Sequence, residues 1–291
     1  MESVLEQTYK HLEIIICDNG TNDQTEHLMH KYDKDCRIIY VRNKEAQSKQ
    51  ANFAPFEALA HGEFLQWLMD DDVLDEDKIE KMVDVFLSNK GITLVSSNRR
   101  WIDETGKDLN VPKEIELDAK TRYTILDGRI LGKSMLLELR NFIGEPSSAL
   151  FRQSDLINQY WQAECRGYKT ISDVVMWLEL LEKGNCAFFQ EPLSSYRRHT
   201  GQEGQNLEVI ILSRFEWLKL IDESYGKQYF LLTEEEYKLS LQKFLIDAKE
   251  VVLPVLRKGQ INTLLANCYK EKVAIVEQKY FCMTGTVKNE V

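Results

Sequence analysis

Short unbroken apolar runs, each followed by a polar stretch with helical spacing, dominate the first hundred residues of this chain. Leu12 to Cys17 (LEIIIC) is rich in isoleucine and bounded by polar residues, a pattern that predicts a strand buried on both faces. It ends at Asp18-Asn19-Gly20, a turn signal. Ser3 to Tyr9 reads as the end of a preceding helix, and Thr21 to Thr25 opens another that runs to about Tyr32. Arg37 to Val41 (RIIYV) predicts a second strand, and a helix over about 50–60 stops at His61-Gly62. Glu63 to Met69 (EFLQWLM) predicts a third strand, running straight into three aspartates. Asp77 to Asn89 reads as a helix with a charged face, and Thr93 to Asn98 (TLVSSN) as a fourth strand. Strands alternating with helices predict an α/β fold with an open, mostly parallel sheet flanked by helices. In such sheets ligands sit beyond the carboxyl ends of the strands, where Asp18 and Asp70 to Asp72 fall.

The texture changes twice more. Between about 100 and 200 the pattern is less regular, with a long loop over 105–120, a helix near 127–139 and a strand-like Ser148 to Phe151. Ile171 to Lys183 (ISDVVMWLELLEK) then carries an apolar stripe of Val174, Trp177, Leu178 and Leu181, ends at Gly184, and leads into a strand over Cys186 to Phe189. From about 207 helical spacing takes over in three or four segments, with no repeat of fixed period. These shifts divide the chain into parts at 1–105, 106–205 and 206–291, the last a C-terminal helical appendage.

Composition narrows the function classes. With 291 residues, 43% hydrophobic and 29% charged, the chain can bury a large core without staples. Its net charge of -10 argues against nucleic acid, which needs a basic face to displace counterions. No run approaches the roughly 20 apolar residues that span a bilayer, and no secretory signal is visible. The six cysteines (Cys17, Cys36, Cys165, Cys186, Cys268, Cys282) show no C-x-x-C spacing and read as small, partly buried residues in a reducing cytosol. The expectation is a cytoplasmic protein. The pattern leaves room for peripheral membrane association and for a homodimer.

Asp70-Asp71-Asp72 carries the clearest chemistry. Three adjacent carboxylates repel one another unless a cation arrives, and a hard divalent ion with oxygen ligands is the natural partner. Such an ion, Mg²⁺ or Mn²⁺, would bridge a nucleotide diphosphate and stabilise it as it leaves. The plainer alternative is a solvated acidic loop. Asp18 is either an acceptor for a nucleotide base or a turn residue. Asp173, at the start of a helix, is either a general base or an acid favoured by the helix dipole. Arg197-Arg198 could meet phosphate and His199 could bind a metal, or all three could form a solvated basic turn. An aspartate-nucleophile phosphatase would need D-x-D-x-[TV]; Leu74 stands at the fifth position from Asp70 and does not fit.

In this order and spacing, SVLEQTYKHLEIIICDNGTNDQT, GEFLQWLMDDDVL, NFIGEPSSALFRQSDL and SDVVMWLELLEKGNCAFFQEPLSSYRRH resemble bacterial family 2 glycosyltransferases of the GT-A (Rossmann-like) fold, over roughly residues 1–205. The resemblance implies that Asp18 contacts the base, that Asp70 and Asp71 bind ribose and metal with Asp72 adjacent, and that Asp173 is the catalytic base. Met69 stands where many members have another aspartate. His199 is a further metal candidate, and Gly144, Glu145 and Pro146 match a segment on the acceptor side. It implies an inverting transfer from a nucleoside-diphosphate sugar to a hydroxyl of a glycan, a lipid-linked sugar or a protein. Members usually begin with a strand like V-S-I-I-I-P-T-Y-N, whereas this chain opens inside the helix that follows it. The expectation is therefore a truncated domain whose neighbouring strands lack a ladder partner. The competing expectation is a non-catalytic relative with an interaction role.

Overall fold

The computed structural model describes residues 1–44, 52, 55–56, 58–111, 115, 121–156, 166–202, 206–257 and 263–285. The first elements are α1 (Glu2–Leu5), β1 (Ile14–Asp18), α2 (Gln24–Met29) and β2 (Ile38–Arg42). After them come β3 (Phe64–Gln66), β4 (Val73–Leu74), α3 (Lys78–Ser88) and β5 (Ile92–Ile102). β6 (Tyr123–Leu126), α4 (Gly128–Glu138), β7 (Leu150–Arg152), α5 (Ser172–Lys183) and β8 (Asn185–Arg197) complete the α/β part. The C-terminal helices are α6 (Leu207–Gly226), α7 (Glu234–Asp247), α8 (Leu253–Arg257) and α9 (Thr263–Thr284). The helix expected over about 50–60 and the loop expected over 105–120 lie only partly within the described residues, and Cys165 lies outside them.

Two parallel ladders organise the strands, one in each of two sheets. β1 pairs with β2 over Ile14–Asp18, and β5 pairs with β8 from Ile92 to Ile102. The shorter β3, β4, β6 and β7 add antiparallel pairs, giving a six-stranded sheet in the order β3-β7-β5-β8-β4, with β6 also on β8. β1 and β2 form a separate two-stranded sheet. Among the described residues β1 is thus paired along one edge by β2, and β3 along one edge by β7. The Glu13 carboxylate accepts from the His61 backbone N–H at 2.8 Å and meets its ring nitrogen at 3.0 Å, holding the start of β1 beside the start of β3.

Alternate residues of the central strands face two cores, as the pleat demands. On one face Val95, Leu150, Ala187 and Phe189 pack against Met82, Val83 and Phe86 of α3. On the other, Leu94, Phe151 and Cys186 pack against α4 and α5, with Met135, Leu136 and Trp177 fully buried. Each such large side chain contributes about 1.5–3 kcal/mol of burial. Residues Ile211, Trp217, Ile221, Leu241, Phe244 and Tyr269 of the C-terminal helices belong to this same cluster. The helical region therefore adds to the core of the α/β part. No helix among the described residues is long and apolar enough to cross a membrane.

The joint between the two parts is a buried carboxylate. Glu216 of α6 accepts from the backbone N–H groups of Lys169, Thr170 and Ile171 at 2.8–3.0 Å, and from the Thr170 hydroxyl at 2.8 Å. These donors lie immediately ahead of α5, whose own first residues provide no side-chain cap. A helix start leaves backbone donors without partners, and an acid there also suits the helix dipole. Replacing Glu216 with Ala strands those donors in an 8% exposed position. The expected loss is about 3 kcal/mol in chemical denaturation, with exchange of the Thr170 and Ile171 amides rising first. A loss below about 1 kcal/mol would show that the cap is dispensable.

Candidate active site

The three aspartates occupy a turn between β3 and β4 that begins four residues beyond Gln66, the last paired residue of β3. The expected strand over Glu63–Met69 is ladder-paired only from Phe64 to Gln66. Past that point the chain is held by the turn at Pro146–Ser148. Gln66 Nε2 donates to the carbonyls of Trp67, Pro146 and Ser147, and the Met69 N–H donates to Ser147 Oγ at 3.0 Å. Fully buried Lys78 ties the start of α3 to the same turn, its Nζ donating to the Ser148 carbonyl at 2.9 Å. Burial pushes the Lys78 amine down to about 7 against the opposing charges of Asp75 and Asp72.

Three identical residues end in three environments. Asp70 is exposed, Asp71 is half-buried and Asp72 is buried. Asp72 Oδ1 accepts from the Arg197 N–H at 3.0 Å. Burial, with the charges of Asp71 and Glu145, raises its carboxyl to about 6 against the hydrogen bonds from Ser147 and Arg197. Asp71 Oδ2 lies 3.2 Å from His199 Nε2, with both side chains partly open to solvent. The structure thus brings Asp71 and His199 together, while Asp72 is committed to the end of β8.

Asp173 and the segment over 141–146 form the second wall. Asn141 accepts from the N–H groups of Ile143 and Gly144, and its amide donates to the Gly144 carbonyl and to Asp173 Oδ2, both at 3.0 Å. Trp177 Nε1 also donates to the Gly144 carbonyl, at 3.1 Å, so α5 and the loop are locked together. Arg99 Nη2 donates to Glu145 at 3.0 Å. Burial pushes the Asp173 carboxyl up to about 7; the Glu145 charge adds to this, and the Val174 N–H and Arg99 oppose it. Tyr196 joins the two walls. Its hydroxyl is raised to about 12 by burial and then by the charges of Glu145, Asp72 and Asp71. Carboxylates that were 100 residues apart in sequence therefore share one electrostatic neighbourhood, which is where functional groups collect.

Asp18 stands elsewhere in the bonding scheme. It is 7% exposed and accepts from the Tyr40 hydroxyl and the Gly20 N–H at 2.7 Å, with the Arg42 guanidinium against its other side. Burial opposes its charge, but the hydrogen bonds from Tyr40 and Gly20 and the charge of Arg42 outweigh that and hold the carboxyl below its ordinary range. Arg42 is its ladder partner on β2.

Beside His199 a cavity of about 360 Å³ opens between Asp103–Thr105, Leu109 and Arg198. Arg198 lies over the Trp101 ring, which meets Tyr196 edge-on at 5.0 Å. A larger cavity of about 400 Å³ lies between α5 and α6, where Arg166 meets Glu179 and Glu223. Its charges pair with one another and the carboxylate turn takes no part in it, so the site is placed by chemistry and not by volume.

Arg99, Asn141 and Tyr196 are site residues that periodicity did not reveal. The nearest sequence signal was Asn141 heading the N-F-I-G-E-P segment.

A carboxylate turn at one end of a central sheet thus faces a helix-borne acid across an anchored loop. The sequence profile of glycosyl transferase family 2 matches residues 1–156, and the chain belongs to that family. It is 27% identical over 206 residues to TuaG of Bacillus subtilis (strain 168), provisionally named as a teichuronic acid biosynthesis glycosyltransferase, covering 68% of this chain and 71% of TuaG. It is 31% identical over 127 residues to WfaP of Escherichia coli, a UDP-Glc:alpha-D-GlcNAc-diphosphoundecaprenol beta-1,3-glucosyltransferase, covering 42% of this chain and 49% of WfaP. The chain spans less than two thirds of the length of most curated relatives it matches, and 32% of one from Rickettsia conorii. The fold is similar to the crystal structure of S. aureus TarS, with a TM-score of 0.56 and 10% identity, over 90% of this chain and 42% of that one.

Gly144 tests the anchored loop. It holds φ at +99°, and a Cβ there would meet Arg99 Nη1 and Ser148 Oγ at 2.9 Å. Gly144→Ala is expected to destabilise the protein by about 1–3 kcal/mol. Thermal unfolding equal to wild type would show that the loop yields freely.

Proposed function

We propose that this protein is a metal-dependent, inverting glycosyltransferase that moves a sugar from a nucleoside-diphosphate donor to a hydroxyl acceptor in cell-surface glycan synthesis. The observation that carries the reading is the Asp71–His199 pair, 3.2 Å apart, in the same electrostatic neighbourhood as the near-neutral Asp173 carboxyl.

Among the described residues no group of three or more His, Cys, Asp or Glu is arranged to hold a metal ion. A two-donor site still fits Mg²⁺ or Mn²⁺, which take few protein ligands and complete their shell with water and phosphate oxygens. Asp71 and His199 would hold the ion, with Asp70 on the exposed side of the same turn for the ribose. When bound, the ion supplies Lewis-acid stabilisation of the departing diphosphate. Asp173 takes the proton from the acceptor hydroxyl, whose oxygen bonds to the anomeric carbon as the carbon–oxygen bond to the diphosphate breaks. Asn141 aims that carboxyl, and Gly144, Glu145 and Pro146 form the acceptor side. Attack from the face opposite the leaving group inverts the anomeric centre. The names of TuaG and WfaP support a cell-surface acceptor, a glycan or a lipid-linked sugar in preference to a protein. We place the enzyme on the cytoplasmic side, in peripheral contact with the membrane.

A second reading, a relative that keeps the fold without turnover, draws on Asp18. Its buried carboxylate already accepts from Tyr40, Gly20 and Arg42, which leaves little of it open to a base.

Calorimetric titration with UDP and with GDP, each with and without Mn²⁺, separates the two readings. The expected result is metal-dependent binding of one nucleotide, weakened at least about ten-fold in Asp71→Ala and in His199→Ala, the equivalent of one charge-assisted contact. A folded sample that binds neither nucleotide would sink the enzyme reading.

The pH dependence follows from Asp173. A base must be ionised to act, so kcat/KM is expected to rise with pH and level off above about 7. The sign for stability is opposite. The folded state binds the Asp173 proton more tightly than the unfolded chain, so this residue's contribution falls as pH rises from the ordinary aspartate value of 3.8 through about 7. Asp173→Asn should therefore abolish turnover yet unfold at a higher temperature than wild type at pH 8. A variant less stable than wild type at that pH would contradict the buried-charge account.

A further inference from the structure

Arg197, the last residue of β8, sits where the sequence suggested a phosphate ligand, yet its guanidinium is turned inward onto backbone carbonyls. Nε donates to the Asp71 carbonyl at 2.9 Å, and Nη1 donates to the carbonyls of Asp103 at 2.9 Å and Glu104 at 3.2 Å. Its backbone N–H donates to Asp72 Oδ1, and its carbonyl accepts from Gln202, whose amide also reaches Asp71 Oδ2 at 3.4 Å. A planar guanidinium offers donors fixed in a fork, so one side chain can hold several acceptors in a set relation.

The two segments it joins come from different parts of the chain. One is the carboxylate turn. The other is the tip of a small hairpin, closed by the Ile102–Asp108 bridge, the Asp103 N–H to Lys107 carbonyl bond at 2.9 Å and the Leu109 N–H to Trp101 carbonyl bond at 2.8 Å. Its turn passes Gly106 at φ +91°, where a Cβ would come within 4.0 Å of Arg197 Nη1. The same turn walls the cavity beside His199.

We propose that Arg197 is a positioning residue that makes the carboxylate turn and the 103–109 hairpin move as one body. A cation held by Asp71 and His199 then fixes the wall of the neighbouring cavity, and ligand in that cavity reports back on the cation pair. The functional consequence rests on the glycosyltransferase reading; the mechanical coupling does not.

The test compares wild type with Arg197→Lys in the full chain, by hydrogen exchange and by Mn²⁺ affinity from electron paramagnetic resonance with UDP present. Lysine keeps the charge but has a single nitrogen and cannot span three carbonyls. Exchange of peptides covering 69–75 and 101–109 should rise together, by about ten-fold, with Mn²⁺ affinity falling by a similar factor, the scale of one charge-assisted hydrogen bond. Arg214→Lys, on distant α6, should move neither peptide. Should Arg197→Lys fail to fold, Gly106→Ala strains the hairpin alone, and coupling requires that exchange over 69–75 rise there too. Either peptide exchanging at the wild-type rate overturns the proposal, as does coupled loosening that leaves Mn²⁺ affinity intact. If wild type binds no Mn²⁺ with UDP, the functional reading falls and the exchange pattern alone decides the brace.

Discussion

The parallel pairing of β5 with β8 is the constraint on which the rest of the architecture depends. Both strands are buried on two faces through their first halves, with Ile92 to Ser97 and Cys186 to Phe189 almost inaccessible to solvent. Parallel strands need cover on both sides, and α3 supplies it on one face and α4 with α5 on the other. The register shifts at Ser97/Asn98 and Asn98/Arg100, so both strands depart from the flat core there. Bulges of this kind redirect side chains, and here the redirected half carries Arg99, Trp101, Tyr196 and Arg197. The Asn98 amide holds the break, donating to the Gln190 carbonyl at 3.0 Å and the Ile115 carbonyl at 3.1 Å. One ladder thus builds the core with its first half and delivers the chemistry with its second.

The carboxylates are tolerable together because they do not all face the same medium. Asp72 is buried and its carboxyl is raised to about 6, so it takes up a proton more readily than an ordinary aspartate, and the backbone of Arg197 compensates one of its oxygens. The Lys78 amine, driven down to about 7, lies beside it in the same desolvated layer. Asp71 keeps access to water and to His199. Asp173 is held near neutrality by burial, so its proton affinity is matched to work close to pH 7 and not to the acid range of an ordinary aspartate. Asp72 and Asp173 thus hold protons more tightly than ordinary aspartates, and burial is the leading cause at both.

Much of this scaffold was legible in the sequence. The isoleucine run of β1 and the 3.6-residue stripe of α5 are local signals, and each predicted its element within two residues. β8 was legible only in pieces, as a strand over Cys186 to Phe189 and a short strand-like stretch near Pro192, because Glu191 and Pro192 look like the end of a strand. Pro192 is tolerated because it sits opposite Asn98 at the register shift, where the ladder does not need its missing N–H. The three aspartates read alike because nothing local separates them; the Ser147 hydroxyl and the Arg197 backbone, distant in sequence, decide which one is buried. Asp18 is the converse case. Its position was visible, but its partner Arg42 depends on the β1–β2 register, and register is a non-local property.

Glu216 shows why the C-terminal helices belong in the same account as the site. In sequence it is one of several charged residues along its helix, and an exposed position is the natural expectation for it. In the fold it faces inward and takes three backbone donors and a hydroxyl at the entry to α5, two residues before Asp173. A carboxylate in that position orders the first turn of the helix that carries the proposed base. Asn141 and Trp177 then fix the loop over 141–146 against that same helix. The direction in which Asp173 points is therefore set jointly by a helix outside the family 2 match and by a loop inside it. Tilting α5 by loss of the Glu216 cap would displace both the base and the wall it faces, a defect that no residue of the carboxylate turn could correct.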